Sequence, residues 1–275
     1  MGILNVTPDS FYDGMGNSYM NKTEEFNRVL SQDMSKADII DVGAESSRPG
    51  SSRITIAEEI KRLSIIKNNI SSLNKITFSV DTYKYDVAKY ALDSGYSMIN
   101  DIYAGRYDDR IFELSSDRNV PIVLMHMKGD PSNMQENTNY NSIIDDIMFF
   151  FEKRIDIALK RGVVHENIII DPGIGFGKTL IDNYRIIKNI PKLKELGFKI
   201  LIGLSRKSFL DINKNIPPRN RLEESIAMNA ISAVNGADIL RVHDVNATLK
   251  AIKTVESYIN CWIIFFILLV YNYGL

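Results

Sequence analysis

The chain has 275 residues, with 33 Lys and Arg against 34 Asp and Glu, a formal net charge of −1, so it carries no global basic field for nucleic acid. It is 45% apolar and long enough to bury a sizeable core. Its one cysteine, Cys261, excludes an internal disulfide framework and a cysteine-rich zinc site and fits a reducing compartment, so the protein is expected to be cytoplasmic. Met1 opens directly into an apolar run without a basic n-region, so no signal peptide is expected.

Strand-like apolar runs fall at about 2–6, 38–43, 76–82, 98–101, 121–126, 167–171, 200–204 and 239–243. Most lack alternation, as strands buried on both faces do in a parallel sheet. Helical periodicity lies between them. Val87, Ala88, Ala91 and Leu92 form one stripe. Ile143, Ile144, Ile147, Phe150, Phe151 and Ile155 form a second, ending at Arg161-Gly162. Leu222, Ile226, Ala230, Ile231 and Val234 form a third, closed by Asn235-Gly236. Asp182 and Asn220 read as helix N-caps. Strand–helix alternation predicts an α/β fold in one domain. Periodicity alone does not separate a (β/α)8 TIM barrel from a doubly wound open sheet, but the polar residues that follow every strand favour the barrel. The first strand would start at the N-terminus with nothing before it to cover the barrel floor, so upstream residues are expected to be missing from this sequence. A barrel domain is expected over 1–258. Residues 259–275 form an irregular apolar C-terminal tail, whose core CWIIFFILLVY is shorter than the ~20 residues that span a bilayer. Membrane contact by this tail is not expected.

The chemistry is expected where strands end. Asp171-Pro-Gly-Ile-Gly-Phe-Gly-Lys178 fails the phosphate-loop spacing, because Pro172 stands where a glycine is needed. Its glycines still allow close approach to a flat ligand, on which Phe176 can stack. The alternative is a tight turn with a buried Phe. Asp81, Asn100 and Asp171 end three different strands. Each alone reads equally well as a helix cap, but together they offer paired acceptors and an amide to the amide-and-amine edge of a pterin or purine. Arg241 and His243 are two apart on one strand and share a face, near the barrel mouth. With Arg48 and Lys207 they suit a phosphate or diphosphate. The alternatives are a salt bridge from Arg241 to Asp244 or Glu45 and a structural His243. Asn5 either caps a turn or gives one oxygen to a Mg2+ brought in by a phosphate. Ser205-Arg206-Lys207-Ser208 offers a lysine and a hydroxyl at a strand end. His126 reads as structural, and His165 as a residue of the barrel floor without a role.

These residues together resemble the dihydropteroate synthase family, through GILNVTPDSF, ESSRPG, SVDTYK, INDI, LMHM, DPGIGFGKT, GLSRKS and GADILRVHDV, in family order from Met1 to about residue 256. The resemblance implies a TIM barrel, usually a homodimer. It would join 4-aminobenzoate to 6-hydroxymethyl-7,8-dihydropterin diphosphate, giving 7,8-dihydropteroate and diphosphate. By motif position Asn5 resembles the family's Mg2+ and diphosphate contact. Asp81, Asn100, Asp171 and Lys207 resemble its pterin set, and Arg241 and His243 its diphosphate clamp. Ser47 falls where the family commonly has Thr, beside Arg48. Phe11, Pro49, Phe176 and Ser208 would surround the aminobenzoate. Ala44, Met15 and Asp211 stand where glycines are common. The competing readings are a methyltetrahydrofolate-type methyltransferase, which has little use for Arg241 and His243, and a non-catalytic pterin-binding paralogue.

Overall fold

The computed structural model describes residues 1–7, 29–30, 34–46, 51–70, 76–131, 133–134, 136, 138–213 and 215–261. Eight parallel strands follow one another in sequence order: β1 (Gly2–Asn5), β2 (Ile39–Gly43), β3 (Thr77–Asp81), β4 (Met98–Asp101), β5 (Ile122–Met125), β6 (Ile168–Asp171), β7 (Lys199–Ile202) and β8 (Ile239–Leu240). The order closes on itself in hydrogen bonds. Ile3 N donates to Val242 O at 2.9 Å and Val242 N to Met1 O at 3.0 Å, so the segment after β8 meets β1. Helices cover the connections, giving a TIM-like α/β fold.

The strands read as continuous apolar runs because both faces are buried. Ile40 and Val42 of β2, Val80 of β3 and Ile99 of β4 are 0% exposed and pack outward under the helices. The alternate residues point inward. Met98, Val123, Ile169 and Leu201 form a separate apolar cluster there, with Met1, Ile39 and Ile239 against it. It fills the interior toward the strands' N-terminal ends.

Two of the three expected helical stripes are buried as expected. In the helix Tyr85–Asp93 the inward residues are Val87, Ala88, Ala91 and Leu92. In Ile143–Lys160 they are Ile143, Ile144, Ile147, Phe151, Ile155 and Ala158, with Phe150 partly buried; Arg161 caps the end and Gly162 follows at φ 90°. The third stripe is a correction. In Leu222–Val234 the buried residues are Ser225, Asn229 and Ser232, while Ile231 and Val234 are 47% and 49% exposed. Small polar side chains let this helix settle closely onto the barrel: the Ser225 hydroxyl accepts from Arg206 N at 2.9 Å and donates to Arg221 O. The caps also differ. Thr179 is the N-cap of Leu180–Lys188, and Asp182 is its partner in a capping box; Arg221, not Asn220, occupies the N-cap of Leu222–Val234.

The last described helix, Val245–Ile259, packs on Leu222–Val234 and leaves Tyr258 and Ile259 exposed. The tail's remaining residues, 262–275, lie outside the described residues. Among the described residues no helix is long and apolar enough to cross a membrane.

Candidate active site

The polar residues converge at the strands' C-terminal ends. Period-2 alternation carries them there: two residues beyond Ile39, Met98, Ile169 and Ile239 of the apolar cluster come Asp41, Asn100, Asp171 and Arg241, on the same inward face. Asp81 closes β3 and Asn5 closes β1. Gly43, which closes β2, leaves room between them, since a Cβ there would sit 3.1 Å from Asn5 Oδ1 and 3.5 Å from Asp81 Oδ2.

Arg241 ties the group together. Its Nε donates to Asp41 Oδ2 at 2.6 Å and its Nη2 to Asp81 Oδ2 at 2.7 Å. Its partners are therefore not Asp244 or Glu45. Asp244 holds Arg206 at 2.6 Å, and Glu45 holds Lys84 at 2.6 Å. The Asp41 oxygen also accepts from Asn100 Nδ2 at 2.9 Å. Burial pushes the Asp81 carboxyl up to about 7; Arg241 pulls it down and Asp41 adds to the rise. Burial likewise raises Asp171, against the cation of Lys207.

On the far wall Asp171 Oδ1 accepts from Gly173 N at 2.7 Å. Gly173 has φ 68°, and a Cβ there would come within 2.0 Å of His126 O, so this turn requires glycine. Lys207 donates to Ile174 O, and its Nζ lies 4.6 Å from the Phe176 ring centroid. Burial lowers its pKa to about 8 despite Asp171. Phe176 is half-buried and Ser208 is exposed, at the start of a 3-10 turn. The half-buried ring packs against the apolar cluster of Tyr83, Ile102, Tyr103, Met125, Met127 and Met134, with Lys207 over it, so part of it serves as turn packing. His243 Nδ1 lies 3.1 Å from the hydroxyl of the buried Ser205. Asp211, at a position where the family resemblance expects glycine, is buried and accepts from Ile216 N at 2.6 Å, which shapes the loop after the turn.

Asp101, next to Asn100, faces the other way and is spent on its own loop, accepting from Tyr103 N at 2.7 Å and Gly105 N at 2.5 Å. His126 is buried, edge-on to Phe150 at 4.9 Å, with Nδ1 3.0 Å from Lys178 Nζ. His165 stacks on Phe198 at 4.2 Å, away from the strand ends. Ser47, Arg48, Pro49 and Phe11 lie outside the described residues.

Sequence reasoning missed several residues. Asp41 is the first; a carboxylate in the middle of the run Ile39–Val42 was the available signal. Lys178 is buried, with a pKa lowered by burial to about 7. Lys84 is the third, with Nζ donating to Glu45 at 2.6 Å, Glu59 at 2.6 Å and Ile54 O at 2.8 Å. Since Ile54 N also donates to Glu45 Oε2 at 2.9 Å, this buried lysine fastens both ends of the segment between residues 45 and 54. Among the described residues no group of three His, Cys, Asp or Glu can hold a metal ion.

A cup of this kind, with carboxylates and an amide on its walls and a guanidinium across its mouth, suits a flat nitrogen-rich ring bearing an anionic substituent. The comparisons with known proteins agree. A family profile described as "Pterin binding enzyme" matches residues 1–243. A dihydropteroate synthase of Clostridium beijerinckii is 40% identical over 261 residues, 94% of this chain and 94% of the relative. Among solved structures, the Yersinia pestis dihydropteroate synthase with a sulfonamide drug complex superposes with a TM-score of 0.85 at 36% identity, over 94% of this chain and 93% of that one. The Xanthomonas albilineans dihydropteroate synthase with 4-aminobenzoic acid gives 0.84 at 35%, over 94% and 92%. This chain belongs to the dihydropteroate synthase family of pterin-binding enzymes.

Proposed function

We propose that the protein is a transferase that joins 4-aminobenzoate to 6-hydroxymethyl-7,8-dihydropterin diphosphate. The carbon–oxygen bond to diphosphate breaks, its electron pair leaving with the diphosphate. The arylamine nitrogen then bonds to the exocyclic methylene and gives up a proton. The observation that carries this reading is the convergence of Asp81, Asn100, Asp171, Lys207 and Arg241 at one barrel mouth. The curated relatives named dihydropteroate synthase, and the related structure holding 4-aminobenzoic acid, support it.

An arylamine is a weak nucleophile, so departure of the diphosphate leads and the methylene gains carbocation character. Asp81, Asn100 and Asp171 hold the pterin edge, and the two acids favour positive charge on the ring. Arg241, Lys207 and His243 receive the growing negative charge. Phe176 and Ser208 border the aminobenzoate position, and the family resemblance adds Ser47 and Arg48 to it. No covalent nucleophile is required. Among the described residues, Asn5 Oδ1 offers a single oxygen beside Asp81 with no group of three acids around it. That donor set fits a Mg2+ whose other ligands are diphosphate oxygens and water. When bound, the ion neutralises diphosphate charge.

The same reading treats residues 1–258 as one closed barrel domain with an appended tail, working in the cytoplasm. A homodimer fits the exposed Ile231, Val234, Tyr258 and Ile259 on two adjacent helices, an apolar face a second copy can cover. The deciding experiment is diphosphate release from the pterin diphosphate by purified protein. Release that rises on adding 4-aminobenzoate, with dihydropteroate formed in equal amount, is the expected result. Pterin binding without release under both conditions would leave a non-catalytic binder.

A further inference from the structure

We propose that Asp41 is the positioning residue that sets the direction in which this cup reads its ligand. The inference rests on the pterin-binding reading above. Asp41 is 0% exposed and lies two residues before the end of β2. Its Oδ2 accepts from both Asn100 Nδ2 and Arg241 Nε. A carboxylate oxygen accepts, so the amide nitrogen of Asn100 must turn toward it. That leaves Asn100 Oδ1 without a hydrogen bond within the described residues. At this wall the cup therefore offers an acceptor. A ring that brings an N–H there is matched, and a ring that brings a lone pair is repelled.

The same oxygen fixes the guanidinium. Nε is bound to Asp41 and Nη2 to Asp81, and Nη1 makes no hydrogen bond within the described residues. The unbonded Nη1 amino group is thus presented at a set angle to an anion. Asp41 carries a cost for this. Its Oδ1 is buried with no partner. An apolar side chain at that depth would avoid the penalty, as Ile39 does two residues earlier. A merely space-filling residue would not keep it.

Binding of 6-hydroxymethylpterin, measured by titration calorimetry, tests the idea. This probe lacks the diphosphate, so it isolates the path through Asn100. Asp41→Leu keeps the bulk and removes the acceptor, and should weaken binding about tenfold or more. Asp41→Asn keeps an acceptor and should stay within about threefold. Repeated in an Asn100→Ala background, Asp41→Leu should cost less than about threefold, because its effect passes through the amide. Additive losses, wild-type affinity in Asp41→Leu, or an equal loss in Asp41→Asn would each overturn the proposal. If Asp41→Leu does not fold, Asp41→Ser makes the same comparison. A ligand-free arm reads the Asn100 side-chain amide protons by NMR, which should exchange slowly in the wild type and faster in the acceptor-less variant. Equal exchange rates would overturn the proposal. If the wild type binds no pterin the functional reading fails, and this arm still decides whether Asp41 holds Asn100.

Discussion

Two levels of one barrel interior share their strands and their burial but differ in chemistry. Ile39, Met98, Ile169 and Ile239 belong to an apolar cluster; two residues on, Asp41, Asn100 and Arg241 form a polar network, with Asp171 on the far wall. Both levels are largely buried and are built on the same backbone. The lower one gains from burial and close packing. The upper one costs free energy wherever a polar atom lacks a partner, as Asp41 Oδ1 does. The lesson is that stability and recognition are separated here by about two residues of strand, so they can be perturbed one at a time.

The sharpest way to break the comparison is to damage the lower level alone. Leu201→Ala should destabilise the protein by about 2–5 kcal/mol, read by denaturant unfolding. The folded fraction should bind pterin with unchanged affinity; a matching loss of affinity would join the two levels. Next in size is the reverse change. Asp171→Asn should weaken pterin binding by about 1.5–3 kcal/mol in calorimetry, while unfolding moves by less than about 1 kcal/mol. Wild-type affinity in that variant would remove Asp171 from the pterin wall.

The smallest signal is a slope. Asp81 titrates at about 7 when folded, against an ordinary value of 3.8. The native state therefore holds this proton more tightly than the unfolded chain does. Its contribution to stability is fully present below about 4 and is lost as pH rises through about 7. Between pH 5 and 8 the wild type should lose thermal stability through this group, and Asp81→Asn should show a shallower decline. Leu201→Ala should keep the wild-type slope. Parallel pH profiles for wild type and Asp81→Asn would contradict the raised value.

Much of this was legible along the chain. The strand runs were found to within a few residues because burial on both faces leaves no alternation. Asp81, Asn100, Asp171 and Arg241 stood out as polar groups at the ends of those runs. The helix Leu222–Val234 misled, because Ile231 and Val234 face outward while Ser225, Asn229 and Ser232 face inward. A helix wheel shows a stripe but not which side of it meets the barrel. The ion pairs weighed for Arg241 were with Asp244 or Glu45, when its partners are Asp41 and Asp81, residues 200 and 160 positions away. Lys84 ends the SVDTYK motif yet drew no role there, since its function as a fastener exists only once Glu45, Ile54 and Glu59 surround it.

The order of residues alone determined the alternation of strands and helices and the polar positions at strand ends, because both follow from local period and from the expense of burying charge. Which acid meets which cation, and which face of the Leu222–Val234 helix is covered, were decided only by the curl of the strands. Closing eight strands in a ring makes neighbours of residues that the chain holds far apart, and no local rule contains that distance.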